Sequence, residues 1–246
     1  MARAPLASAK VTRLAAGKLR ESNVISAIIV AAGQGTRMGA DKLFLEIAGL
    51  PIVGHTWKRI DAHPDIHEVV LVVRPECHSQ FAELADKLQP TKPYTLAHGG
   101  AERQDSVTNG LRATHPDSNL VVIHDGARPC TDAQTIADTI FAASKHGAAV
   151  TATAVTDTLK LGDGELRISR NVDRTNLWAV QTPQVFQKPI ILEAMQAVRD
   201  SNTTVTDDTA ACELIGQSVT LVAASALNPK VTTPADMALV EFLLSQ

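Results

Sequence analysis

A glycine-containing loop with two nearby cations is the feature of the sequence that most directly indicates chemistry. Residues 31–39 read Ala-Ala-Gly-Gln-Gly-Thr-Arg-Met-Gly and directly follow the apolar run 27–30. Small residues let backbone N–H groups approach phosphate oxygens closely, and the start of a following helix would add partial positive charge. Arg37 and Lys42 add cations that can meet one triphosphate. The loop therefore predicts a nucleoside triphosphate site, with a glycine turn and two solvated cations as the alternative.

Two common nucleotide-binding patterns do not fit this loop. A dinucleotide fingerprint needs a third glycine, whose place Met38 takes, and an acidic residue about 20 residues further on, which is missing. A Walker loop needs Gly-Lys-Ser/Thr where this chain has Met38-Gly39-Ala40. What remains is a loop suited to positioning a triphosphate for transfer of a phosphorus-centred group.

Two further polar motifs lie at the ends of predicted elements. Residues 99–107 read Gly-Gly-Ala-Glu-Arg-Gln-Asp-Ser-Val and open a predicted helix, and residues 121–129 read Val-Val-Ile-His-Asp-Gly-Ala-Arg-Pro and close a predicted strand. Donors near Ser106 suit the hydrogen-bonding edge of a small base, although Ser106 alone could equally cap the helix. Asp125 suits Mg²⁺ or a sugar hydroxyl, with a buried ion pair to Arg128 as the alternative.

Short apolar runs alternate with amphipathic segments, and this order predicts the elements that position the motifs. The β-branched runs lie at 27–30, 69–73, 120–123, 148–151 and 219–222. The amphipathic segments lie at 52–61, 79–88, 106–113, 132–146 and 188–198. The alternation predicts an α/β, Rossmann-like, mostly parallel sheet with helices on both faces and ligands beyond the carboxyl ends of the strands. His124, a lone histidine beside a core strand, is expected to be structural and not a base.

The segment 155–180 breaks this alternation. It reads as two short strands around Gly162-Asp163-Gly164, a turn composition that predicts a hairpin. An isolated hairpin is marginal in water, so it must pack on something, and a partner subunit is one candidate. We expect one domain over residues 25–246, with this protruding arm at about 154–177. The basic segment 1–24 is expected to be a flexible tail, with a targeting peptide as the alternative.

Composition argues against several classes of protein. A formal net charge of −3 gives no general attraction to nucleic acid. No apolar run approaches the roughly 20 residues that a membrane-spanning helix needs. Three widely spaced cysteines without a C-x-x-C pair argue against a disulfide framework or a zinc site, and fit a cytoplasmic protein: Cys77, Cys130 and Cys212.

Together the motifs resemble those of a known enzyme family. The glycine loop, Lys42 and the sequence Gly49-Leu50-Pro51-Ile52 resemble the nucleotidyltransferase superfamily. Motifs 99–107 and 121–129 narrow the resemblance to the 2-C-methyl-D-erythritol 4-phosphate cytidylyltransferases of the non-mevalonate isoprenoid pathway. The resemblance covers about residues 26–243 and continues, in the family's order, through motifs at 157–160, 172–174, 177–178, 181–184, 206–208 and 230–232.

The resemblance implies substrates, a cofactor and site residues. The substrates are CTP and 2-C-methyl-D-erythritol 4-phosphate, the cofactor is Mg²⁺ with Asp125 near it, and Arg37 and Lys42 stabilise the transition state. The implied CTP-binding residues are Ala31, Ala32, Gly33, Gly35, Arg37, Lys42, Gly100, Ser106 and Gly126. The implied acceptor-binding residues are Asp125, Arg128, Thr158, Arg174, Thr182 and Lys230. Family members are homodimers that exchange the hairpin, which takes the counterparts of Thr158 and Arg174 into the neighbouring site.

The chain departs from the family pattern at a few places. Leu43 stands where a glutamine is usual, Ala101 where an aspartate is usual, and Gly126 where many members have alanine. None of these changes removes a predicted cation. A ribitol 5-phosphate cytidylyltransferase is the nearest alternative function, followed by a dinucleotide-dependent oxidoreductase and a non-catalytic nucleotide-binding regulator.

Overall fold

The computed structural model describes residues 24–33 and 42–246. Predictions for Gly35, Arg37 and the tail before residue 24 fall outside these ranges. The strands are β1 (Val24–Val30), β2 (Glu46–Ile47), β3 (Leu50–Pro51), β4 (Glu68–Val73), β5 (Tyr94–His98), β6 (Ser118–Asp125), β7 (Ala148–Ala154), β8 (Leu159–Gly162), β9 (Ile168–Val172), β10 (Trp178–Gln187) and β11 (Thr220–Ala223). The helices are α1 (Ile52–Asp61), α2 (His78–Leu88), α3 (Arg103–Ala113), α4 (Ala133–His146), α5 (Lys188–Asp200), α6 (Asp208–Leu214) and α7 (Ala235–Leu244).

Seven strands form the central sheet, in the order β11-β7-β10-β6-β1-β4-β5. Strand β10 runs antiparallel to both of its neighbours, and the remaining pairs are parallel. The predicted mostly parallel sheet is thus confirmed. Its antiparallel member, β10, and its edge strand, β5, are additions that the apolar runs did not indicate.

The sheet separates two hydrophobic layers because successive side chains of a strand point to opposite faces. In β1, Ile29 belongs to one layer and Ile28 to the other. Helices α1, α2 and α4 contribute to the first layer, for example through Trp57, Phe81 and Ile140. Helices α3, α5 and α6 contribute to the second. Helices therefore cover both faces, as predicted, and the strands are continuous apolar runs because both of their faces are buried.

The predicted hairpin is present as β8 and β9, which pair antiparallel and form a sheet of their own. Its residues are largely exposed, including the apolar side chains of Leu161, Leu166 and Ile168. Its role as a dimerisation arm stays a prediction. In the part of the chain that the structure describes, no helix is long and apolar enough to cross a bilayer.

The parallel strands bring three loops to one edge of the sheet. The Ala31 N–H donates to Val72 O at 2.8 Å, and the Gly99 N–H donates to Val73 O at 2.8 Å. On the other side of β1, the Gly126 N–H donates to Val30 O at 3.0 Å. These bonds extend the ladder beyond the regular strands, so the glycine loop and the motifs after β5 and β6 begin side by side.

Candidate functional site

Two adjoining cavities open at this edge of the sheet. The first, here called the glycine-loop cavity, has a volume of about 210 Å³, and its lining includes Ala32, Gly33, Lys42, Leu43, Gly100, Ser106 and Gly126. The second, here called the β10 cavity, has a volume of about 280 Å³, and its lining includes Arg128, Gln181, Thr182, Gln184 and Asp207. Arg103, Asp125 and Lys230 line both cavities. A ligand in one cavity would therefore meet a ligand in the other at a wall of charged groups.

The wall of the glycine-loop cavity is built by a tight turn before α3. Ser106 Oγ accepts a hydrogen bond from the Gly100 N–H at 3.0 Å and donates one to Glu102 O at 3.2 Å. A Cβ at Gly100 would overlap that of Asp105, so only glycine permits this close approach. Helix α3 begins at Arg103 and its N-cap is Glu102, which forms a capping box with Asp105. The alternative that Ser106 caps the helix is therefore wrong, because the helix begins three residues earlier.

Lys42 reaches the same cavity from the other side. It starts a short 3-10 helix, and its Nζ donates to Val231 O at 2.9 Å. The neighbouring Leu43 is buried, joins the first hydrophobic layer and lines the cavity. Leu43, which stands where a glutamine is usual in the family, is thus packed in the core. The amine of Lys42 is held beside the cavity.

Asp125 is the centre of the charged wall. Its carboxylate lies 2.8 Å from Lys230 Nζ, 3.6 Å from Arg128 Nε and 3.7 Å from Arg103 Nη2. Burial opposes ionisation of this carboxyl, but the attraction of Lys230 and Arg103 outweighs burial and lowers its pKa to about 2. Asp125 is therefore a carboxylate at neutral pH. The buried ion pair with Arg128 exists, and both of its members also line a cavity.

His124 is the centre of a hydrogen-bond network behind this wall. The Asp125 N–H donates to Thr182 Oγ1 at 3.0 Å, which leaves the hydroxyl hydrogen of Thr182 for His124 Nδ1 at 2.9 Å. Thr131 Oγ1 donates to Asn228 Oδ1 at 2.6 Å and so accepts from His124 Nε2 at 3.1 Å. This pattern requires a neutral imidazole with its hydrogen on Nε2. Through these bonds His124 holds the end of β6 to β10 and, through Thr131, to the segment at Asn228.

Burial lowers the pKa of His124 from 6.5 to about 4. Because the unfolded chain binds this proton more readily, the stability that His124 contributes is complete above pH 6.5 and is lost as the pH falls toward 4. We expect protonation of this histidine to lower the free energy of unfolding by about 3 kcal/mol as the pH falls from 6.5 to 4. Chemical denaturation at several pH values measures the free energy of unfolding of the wild type and of His124→Gln. The other titrating groups are the same in both proteins, so the difference between their pH dependences is due to His124. Equal pH slopes in the two proteins would contradict the prediction.

The donor set of the wall fits a magnesium ion that also binds phosphate. Among the residues that the structure describes, no three His, Cys, Asp or Glu side chains cluster in a way that could hold a metal ion. Mg²⁺ usually takes only one or two carboxylates and completes its shell with water and substrate phosphates. Asp125 can supply one carboxylate to both cavities.

Most predicted site residues that fall within the described ranges meet at these two cavities. Ala31 is an exception, since it is buried and its N–H is used by the sheet. Thr158 and Arg174 are also exceptions, because they line neither cavity. Both are exposed, Thr158 just before β8 and Arg174 just after β9. Sequence reasoning did not single out Arg103, although the motif 99–107 contained it. It also did not assign a role to Asp208, which lies too far from Asp125 along the chain for spacing to relate them.

A known enzyme family matches most of the chain. The family model described as 2-C-methyl-D-erythritol 4-phosphate cytidylyltransferase (IspD) matches residues 25–246. The chain is 40% identical over 223 residues to the protein of that name from Pelotomaculum thermopropionicum, covering 89% of this chain and 94% of the relative. It is also 40% identical over 221 residues to that of Geobacillus thermodenitrificans, covering 89% and 96%.

Solved structures give the same result. The 4-diphosphocytidyl-2C-methyl-D-erythritol synthase of Anaerococcus prevotii superposes with a TM-score of 0.81 and 30% identity, covering 92% of this chain and 100% of that one. The 2-C-methyl-D-erythritol 4-phosphate cytidylyltransferase of Thermus thermophilus superposes with a TM-score of 0.75 and 32% identity, covering 91% and 100%. The chain belongs to the 2-C-methyl-D-erythritol 4-phosphate cytidylyltransferase family.

Proposed function

We propose that the protein transfers the cytidylyl group of CTP to the phosphate of 2-C-methyl-D-erythritol 4-phosphate, giving CDP-methylerythritol and pyrophosphate. The observation that carries the proposal is that two cavities meet at one wall formed by Arg103, Asp125 and Lys230. Joining two anionic molecules requires two adjacent binding sites and cations between them, because the phosphates repel each other. Membership of the family adds the identity of both substrates.

CTP occupies the glycine-loop cavity in this proposal. This cavity is lined in part by Ala32, Gly33 and Gly100, whose small size lets a ligand come close to the backbone. The segment around Ser106 contacts the cytosine, and Lys42 and Arg37 contact the triphosphate. A pocket of this kind combines close backbone approach with a few polar groups that fix orientation.

The acceptor occupies the β10 cavity. Its phosphate lies against Lys230 and Arg128, and its hydroxyls lie near Asp125 and Thr182. Thr182 Oγ1 is held between the Asp125 N–H and His124, so its orientation is fixed before a ligand binds. This preorganisation reduces the entropy that binding must overcome.

Mg²⁺ completes the site, with Asp125 as its protein carboxylate. When held by Asp125, the ion would supply positive charge that neutralises the negative charge developing during transfer. The acceptor phosphate is already an anion at neutral pH, so its oxygen attacks the α-phosphorus without a general base. Lys42 and Arg37 strengthen their contacts as negative charge grows on the leaving pyrophosphate. The neutral, fully buried His124 takes no proton in this scheme.

We further propose a homodimer in which the hairpin β8–β9 crosses to the neighbouring subunit. The hairpin exposes Leu161, Leu166 and Ile168, which a partner would bury. Thr158 and Arg174 line neither cavity of their own chain and are exposed. In the exchanged dimer they complete the acceptor site of the other subunit.

Pyrophosphate release with two different acceptors tests the proposed function. With CTP and Mg²⁺, we expect kcat/KM for 2-C-methyl-D-erythritol 4-phosphate to exceed that for ribitol 5-phosphate by at least about 100-fold. The reason is that a site whose polar groups hydrogen-bond the hydroxyls of one polyol leaves some of those groups without a partner when a different polyol binds. Reactions without acceptor provide the background rate. A preference for ribitol 5-phosphate would assign the ribitol activity instead, and release with neither acceptor would refute both.

A further inference from the structure

Arg103 lies on the wall that both cavities share, and the proposed transfer assigns it no contact with either substrate. Its Nη1 donates to Asp208 Oδ1 at 2.6 Å, and its Nη2 lies 3.7 Å from Asp125 Oδ1. The Arg103 side chain is 27% exposed, whereas that of Asp208 is 1% exposed. The guanidinium is therefore anchored at one end in the protein interior and borders a ligand-accessible space at the other.

The guanidinium retains unused donors. An arginine side chain has five N–H donors in a planar fork. Among the described residues, it makes one hydrogen bond, to Asp208, because 3.7 Å to Asp125 is too long for a second. The remaining donors lie at the boundary of the two cavities, where an oxyanion of a ligand can accept them in a bidentate arrangement.

Asp208 is fixed more firmly than a surface carboxylate would be. Its N–H donates to Gln184 Oε1 at 3.1 Å, and Gln184 Nε2 donates to Asp207 Oδ2 at 3.1 Å. Asp207 in turn caps α6 by accepting from the Ala210 N–H at 2.9 Å. Strand β10 and the start of α6 thus hold Asp208, and Asp208 holds Arg103.

We propose that Arg103 is a further catalytic residue, whose free donors bind the phosphoryl group being transferred, and that Asp208 is the positioning residue that holds it. The inference rests on the proposed cytidylyl transfer. If CTP fills one cavity and the acceptor phosphate the other, the α-phosphorus must lie at their common wall. A tethered arginine at that point loses little side-chain freedom on binding and is preorganised for the charge of the transition state.

Substitutions with uncharged side chains distinguish two roles of Arg103: binding the transferred phosphoryl group, and only neutralising the Asp208 carboxylate. We expect Arg103→Gln to lower kcat by about 100-fold while KM for CTP changes only a few-fold. Asp208→Asn should lower kcat by about tenfold, because the guanidinium remains but is held less firmly.

Arg103→Gln alone also leaves a buried carboxylate without its partner, so its thermal midpoint should fall. Arg112→Gln, which removes an exposed arginine from the same helix, is the matched control and should behave as wild type.

The double variant Arg103→Gln/Asp208→Asn decides the question. It removes both charges of the pair, so we expect its thermal midpoint to return toward that of the wild type while its kcat stays as low as that of Arg103→Gln. Recovery of kcat together with stability would overturn the proposal, because Arg103 would then only neutralise Asp208. Absence of turnover in the wild type would instead count against the proposed cytidylyl transfer itself.

Discussion

Replacing Lys42 with alanine will lower the turnover number by about 100-fold to 1,000-fold, equivalent to roughly 3 to 4 kcal/mol of transition-state stabilisation. The reason is electrostatic. The amine borders the glycine-loop cavity and donates to Val231 O. In the proposed reaction, an amine held in this way would meet the triphosphate with little reorganisation. Since the pyrophosphate leaving group carries more negative charge in the transition state than in bound CTP, we expect kcat to change far more than KM for CTP.

Lys87→Ala is the matched control for Lys42→Ala. The Lys87 side chain is 51% exposed, and its Nζ likewise donates to a backbone carbonyl, that of Gly49, at 2.9 Å. It lines neither cavity, so steady-state kinetics should be those of the wild type. A turnover number for Lys42→Ala within about threefold of the control would remove Lys42 from the catalytic groups.

Arg174→Ala is expected to raise KM for 2-C-methyl-D-erythritol 4-phosphate by about 10-fold to 100-fold, the size of one charge-assisted pair to a phosphate. Saturation curves in the acceptor measure this change. Arg167→Ala is the control from the same hairpin, because Arg167 is exposed, is paired with Glu165 at 2.6 Å and has no proposed role. Equal KM values in the two variants would argue that Arg174 does not hold the acceptor.

Mixed dimers test whether Arg174 acts across the subunit interface. If the hairpins cross, a dimer of one Lys42→Ala and one Arg174→Ala subunit contains one site with both changes and one site with neither. Assayed well below the raised KM, equal mixtures after subunit exchange should recover about a quarter of the wild-type rate, since half of the dimers are mixed and each has one intact site. Recovery no greater than the sum of the separate variants would contradict the exchanged arm.

The sequence predicted the parts of the fold whose patterns are strong and local. The amphipathic segment 52–61 is helix α1 with the same bounds, and the apolar runs at 69–73 and 120–123 lie within β4 and β6. These runs are continuous because both faces of the sheet are covered. Strand β5 escaped prediction because it is a short edge strand with partly exposed side chains.

Some elements and contacts depend on tertiary packing and could not be predicted from the sequence pattern. The polar residues Gln181 and Thr182 interrupt the apolar sequence pattern of β10. This strand nevertheless lies inside the sheet and lines the β10 cavity. Helix α7 is apolar on most sides and has little periodicity, so it gave no clear helical signal. The pairing of Arg103 with Asp208 joins residues from separate motifs, and only the folded chain brings them within 2.6 Å.

The site was predicted best where a motif follows a strand. Gly33, Gly100 and Asp125 come together because the carboxyl ends of parallel strands share one edge. Lys230 joins them from the segment between β11 and α7. The network around His124 was not predicted, since it joins that strand end to β10 and to the segment at Asn228. Spacing alone does not reveal contacts of this kind.

An isotope-labelling experiment tests directly whether a phosphate oxygen of the acceptor attacks the α-phosphorus of CTP. 2-C-methyl-D-erythritol 4-phosphate carrying ¹⁸O in its phosphate would be incubated with CTP, Mg²⁺ and the protein, and both products analysed by mass spectrometry and ³¹P NMR. We expect all of the label to stay in CDP-methylerythritol, including its bridging oxygen, and the pyrophosphate to be unlabelled. Label in the pyrophosphate, or an unlabelled bridge, would contradict this mechanism.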